Sequence, residues 1–227
     1  MNSKKKNIEA QIVEDFEKIR PAITRLLQTQ MKNDDLSLRY GRSKSNSKND
    51  IVINPSILVN TISKTNLDRD EVMIGTVVHE AIHATNNYSL DSESLNKLFP
   101  DELDDVEDID DVLEILTGPF GKYVFDILIH SIEEKIFVKQ YEGLNSILED
   151  IYTESFSEIK KLGNFSQYLS LLFHSITSYI DPEFENYKKP VVNSLNESLH
   201  ILKTLNYENV NVSELIEATV QMVDILS

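Results

Sequence analysis

The chain has no cysteine, which excludes disulfide bonds and thiolate metal ligation together. Any metal ion must therefore be held by histidine and carboxylate side chains, and a reduced, cytoplasmic location is the expectation. Basic side chains are scarce, 22 Lys and Arg against 38 Asp and Glu, giving a formal charge of -16. That charge repels nucleic acid and anionic membrane surfaces, so neither is expected as a partner. Beyond solubility, the acidity can serve to steer basic partners or substrates. Long apolar runs are missing as well. Charges interrupt every one of them well short of the ~20 residues that a membrane-spanning helix needs. The opening MNSKKKNIEAQIVEDFEKIR has lysines but no apolar signal core. What remains is an ordinary globular composition, 41% hydrophobic and 26% charged over 227 residues, enough for one compact core with a helical extension.

Periodicity makes most of the chain helical. IEAQIVEDFEKIRPAITRLLQTQM repeats apolar residues at helical spacing, with Pro21 expected to kink the helix or start a second one. The β signal is confined to LSLRYGRSKSNSKNDIVINPSIL, where alternating runs at 36–40 and 50–54 flank a Ser/Asn/Lys-rich link. These read as a small hairpin or a pair of edge strands. A short helix follows from Pro55 to about Ser63, then a turn at KTNLDRD. Asp68 or Asp70 is placed there to cap the next helix. The acidic stretch PDELDDVEDIDDVLEIL carries Leu103, Val106, Ile109, Leu113 and Leu116 at spacings of three and four, which predicts a helix with an acidic solvated face. After the break at TGPFG a long helix runs from about Lys122 to Tyr141. Three or four more helices follow, broken near Gly143, Gly163, Asp181-Pro182 and 206–211.

The chemistry concentrates in GTVVHEAIHATNN, residues 75–87. On a helix, Met73, Ile74, Val77, Val78, Ala81 and Ala84 form one face. His79 and His83 lie one turn apart on another, among Gly75, Thr76, Asn86 and Asn87, small or polar residues that leave room for something to bind. Two imidazoles at i and i+4 converge on one ion, and a glutamate beside the first reaches water at that ion without ligating it. His79 and His83 are therefore predicted zinc ligands and Glu80 the general base. Two surface or core histidines are the inert alternative.

A catalytic zinc keeps three protein ligands and one open position. ATNNYSLDSES after His83 lacks the later histidine of the three-histidine class, so the third ligand is expected to be a carboxylate. Glu93, Glu107, Glu114, Glu133 and Glu134 are candidates, with several aspartates. Projection of KYVFDILIHSIEEKIFVKQYEG puts Ser131, Lys135, Lys139 and Glu142 on an exposed side and Glu133 opposite, among Ile129, Ile136 and Phe137. A carboxylate on an apolar side is costly unless paired, hydrogen-bonded or metal-bound, which favours Glu133. Glu134 is placed to orient a histidine around the metal. His130 can replace a ligand or donate to the transition state, and Tyr123, His130 and Tyr141 are candidates for steadying an oxyanion. His174 and His200 have no ligand spacing and read as structural.

HEAIHATNN followed by ILIHSIEEKIFVKQY resembles the gluzincin-type metallopeptidases of bacteria and their phages that are associated with von Willebrand A-type domain proteins. In that group a later helix with a pattern like N-x-x-E-D-x-R-I-E supplies the third ligand. HSIEEKIFV aligns Glu133 with that Glu, while His130 stands for the Asn and Glu134 for the Asp. DIVINPSIL is similar to the edge strand and short helix that precede the metal helix in zincins, a strand on which a peptide can add by β-augmentation. The likeness covers roughly residues 35 to 142.

The expected fold is mainly α (α+β): the resemblance implies a zincin-like metallopeptidase core, placed over 1–142, with a small edge sheet or hairpin, and the periodicity adds a helical region over 143–227 packed on it as one compact unit. The resemblance also implies a Zn2+-dependent peptidase acting on protein or peptide substrates. The alternative is a catalytically inactive zincin-like scaffold or regulatory module of phage or mobile-element origin, with a regulatory protein partner.

Overall fold

The first helix of the computed structural model, α1 (Ser3–Gln30), passes through Pro21 without a break. The expected kink or second helix is not formed, because Pro21 faces solvent while Ile12, Phe16, Ile23 and Leu27 on both sides of it are buried in one core. The structure describes residues 3–30, 32–41, 49–64, 67–85, 95, 97–99, 106, 108–139, 142–156, 158–179 and 184–227. Leu103, Glu93 and Glu107 lie outside them, as does Tyr141. The chain resolves into two compact units, one of Met1–Asn86 with Tyr141–Phe156 and one of Asn87–Gln140 with Ser157–Ser227.

In the first unit, strands β1 (Ser37–Tyr40) and β2 (Asp50–Ile53) pair in parallel, Ser37 against Asp50 through Tyr40 against Ile53. Of the two expected arrangements the hairpin is therefore excluded. The parallel register buries Leu38, Ile51 and Ile53 together and sets Arg39 Nε 2.6 Å from Asp50 Oδ2. Gln28 of α1 donates to the carbonyls of Asp34 and Leu36 at 2.9 and 2.8 Å and so fixes how the chain enters β1. Helix α2 (Pro55–Lys64) starts on proline, where the missing N–H costs nothing, and the Asn54 side chain accepts from Ser56 N at 2.9 Å. Helix α3 (Arg69–Thr85) packs against α1, α2 and β2.

In the second unit, α4 (Ile109–Thr117) begins later than the periodicity suggests. Asp108 is extended and its side chain accepts from Asp110 N, so the helix is capped there and Val106 precedes it. A tight turn at Gly118–Phe120 leads into α5 (Gly121–Val138). A Cβ at Gly121 would lie 1.6 Å from Thr117 Oγ1, so the turn admits only glycine. Helix α6 (Glu142–Phe156) belongs to the first unit, where it packs on α3. The second unit is completed by α7 (Asn164–Thr177), α8 (Lys189–Leu202) and α9 (Val212–Leu226), the last entered through a capping box between Asn211 and Glu214. Its centre is α5, which packs against α4, α7 and α9. The fold is mainly helical with a small two-stranded parallel sheet. Among the described residues no helix is long and apolar enough to cross a membrane.

Candidate metal centre

Helix α3 is set by Asp68, whose Oδ1 accepts from Asp70 N at 2.9 Å and Glu71 N at 3.3 Å; of the two expected caps it is the one that forms. Met73, Val77, Val78 and Ala81 are fully buried, as their spacing predicts. The opposite face is not open space. Gly75 and Thr76 are buried too, and a Cβ on Gly75 would lie 2.7 Å from Ile151 Cδ1 and 2.8 Å from Ile147 Cγ2 of α6. The small residues beside His79 admit a helix rather than a ligand at that level, and this corrects the expectation of free room there.

That helix brings Tyr152 to His79. The hydroxyl lies 3.1 Å from His79 Nδ1, and the two rings meet edge to face with centroids 6.2 Å apart. With the hydroxyl oxygen accepting, Nδ1–H donates and Nε2 keeps the lone pair that a metal ion takes. This is how metal-ligating imidazoles are usually held, their second nitrogen tied to a partner. Nothing in the linear spacing singles out Tyr152, which stands 73 residues after His79 on another helix. Glu80 is half-buried on the next position of α3. His83 is in the last turn of α3, and its imidazole lies outside the described residues.

Glu133 is on α5, in the second unit. Its side chain is buried, with 7% exposure, as the projection required. Two members of the projected exposed side depart from it. Ser131 is buried, its hydroxyl donating to the Ile127 carbonyl at 2.6 Å, and Lys135 is half-buried with Nζ 2.6 Å from the Ile176 carbonyl. Of the predicted exposed side, Lys139 is exposed, while the side chain of Glu142 lies outside the described residues. The reason is that α5 is enclosed from three directions by α4, α7 and α9.

Glu134 is more deeply buried than Glu133, at 0% exposure. Its carboxylate faces His174 on α7 and Tyr179 just beyond that helix. Burial holds the His174 imidazole down at about 4, opposed in part by the Glu134 charge. Burial also pushes the Tyr179 hydroxyl far above its ordinary range, and Glu134 pushes the same way. Burial lowers Lys135 as well. Of the remaining candidates, His130 is half-buried, Tyr123 is exposed at 58%, and Glu114 and His200 are exposed.

Among the described residues no three of His, Asp and Glu gather closely enough to hold a metal ion. The donor types fit zinc on two observations: an imidazole whose Nδ1 is already engaged, and a buried carboxylate on the helix predicted to complete the site. Comparison with protein-family models, with curated proteins and with solved structures finds no match.

Proposed function

We propose that the chain is a zinc-dependent metallopeptidase of the gluzincin type, built on a zincin-like core. His79, His83 and Glu133 would hold the ion, which when bound polarises the scissile carbonyl and brings the pKa of water down towards ~7. Glu80 takes a proton from the attacking water and returns it to the leaving amine nitrogen. Tyr152 keeps His79 in the tautomer that presents Nε2. An extended peptide substrate would align along the outer edge of β2, which packs beside α3. The observation that carries this reading is the His79–Tyr152 pair. With Nδ1 donating to that hydroxyl, Nε2 would carry the lone pair that ligation needs.

Metal analysis of the purified protein alongside Glu80→Gln tests it. About one zinc per chain is expected in both, because Glu80 is not a ligand. Cleavage of a denatured protein substrate is expected from the wild type alone. Zinc in neither protein, or equal proteolysis by both, overturns the proposal. Zinc in both with cleavage by neither points to the inactive scaffold.

A further inference from the structure

Within the second unit, the last turn of α7 is fastened to α5 at the two residues that follow Glu133. Lys135 Nζ donates to the Ile176 carbonyl at 2.6 Å, one of the helix-end carbonyls that intrahelical bonding does not reach. Glu134 is fully buried and faces His174 in that same turn and Tyr179 just beyond it, each only 4% exposed. The chain between these two passes through Ser178, which sits in the left-handed region at φ 65° with its N–H on the His174 carbonyl at 2.9 Å. A serine adopts that conformation at a cost, and here the turn returns Tyr179 to Glu134.

Stability alone is a poor reason for this cluster. A carboxylate buried with an imidazole and a phenol loses its hydration, and apolar side chains of similar volume are often as stable or more so, whereas fixing one arrangement is the best attested use of such groups. The arrangement fixed here is a rotation. Successive residues leave a helix axis about 100° apart, so Glu134 and Lys135 meet the end of α7 in two directions and together resist any roll of α5 that would redirect Glu133. We propose that the end of α7 positions the Glu133 carboxylate for a metal ion, with Tyr179 and Lys135 as positioning residues that act through the backbone of α5. The inference rests on the reading of Glu133 as a zinc ligand.

Binding of Zn2+ and of Co2+ to the full chain tests it. Tyr179→Phe removes the hydroxyl and keeps the ring, while Lys135→Met removes the ammonium and keeps the stem. Each should weaken zinc binding about tenfold, the low end of what an orienting partner is worth, and should alter the visible absorption of the Co2+ form, which reports ligand geometry. Tyr168→Phe is the control. Its hydroxyl is also buried on α7 but bonds to Ser198 Oγ of α8 at 2.7 Å rather than to α5, so both readouts should stay as in the wild type. Far-UV circular dichroism identifies a variant that has failed to fold, and the other then decides. Wild-type affinity and spectrum in either folded variant, or an equal change in Tyr168→Phe, overturns the inference alone. No zinc in the wild type overturns the metal reading and the inference with it.

Discussion

Burial holds the imidazole of His174 at about 4, against an ordinary 6.5. The unfolded chain therefore takes up a proton at this position before the folded one does as pH falls. Stability linked to the neutral ring is complete above ~6.5 and is lost progressively between ~6.5 and ~4, by roughly 3 kcal/mol at most. Urea unfolding across that interval should show this decline in the wild type and a flatter profile in His174→Gln. Two further side chains separate ligation from orientation. Glu133→Ala should reduce zinc affinity beyond the ~10–100-fold typical of losing an orienting partner, and Tyr152→Phe should fall within that range because it removes one oxygen and keeps the ring. Competition with a chromophoric chelator measures both, and a change of no more than about twofold in Glu133→Ala removes Glu133 from the ligand set. The burial of Glu133 was legible from its place among Ile129, Ile136 and Phe137. Glu134 was not, because a projection assumes one buried face, and α5 is enclosed from three directions. Tyr152 was beyond reach of any local pattern, since only the crossing of α6 over α3 brings it to His79.

Among the elements, α3 and α6 meet through the missing side chain of Gly75. A methyl group there would press on Ile151 Cδ1 at 2.7 Å and Ile147 Cγ2 at 2.8 Å, which overpacks the crossing and should cost ~1–3 kcal/mol in Gly75→Ala. Trimming the partner in Gly75→Ala/Ile151→Val should restore part of that loss, as thermal unfolding would record. Gly75 is also one turn before His79, so displacing α6 should move Tyr152 and weaken zinc binding without altering any ligand. Intact affinity in a folded Gly75→Ala would show that the crossing does not tune the metal. The helices themselves were largely readable: the break near 143 falls at the start of α6, and those near 163, 181 and 206–211 fall between α6, α7, α8 and α9. The exceptions share a cause in tertiary packing. Pro21 is carried through α1 by a core stripe that continues on both sides of it. The two short strands lie parallel because that register buries Leu38 with Ile51 and Ile53 and joins Arg39 to Asp50. Alternation of residue types reports which side of a strand is buried and says nothing about strand direction.

For the whole molecule, the order of the chain matters as much as its composition. The backbone builds the first unit to Asn86, contributes to the second to Gln140, returns with α6, and then completes the second. A fragment ending at residue 140 lacks Ile147, Ile151 and Tyr152 and leaves one face of α3 without cover. It should show little protection of α3 amides by hydrogen exchange, whereas the full chain should protect them strongly; equal protection would mean that α3 is held without α6. Synthesis imposes the same order in time. At ~5–20 residues per second, the histidine helix leaves the ribosome several seconds before Tyr152 is made, because 73 positions separate it from His79. During that interval His79 lacks the Tyr152 hydroxyl that would fix its tautomer on the proposed reading, so an ion captured early need not be bound as the proposed centre would bind it. On the proposed reading, the return of α6 would act as a delay in the maturation of the centre, setting the earliest moment at which a metal could be taken up in its final geometry.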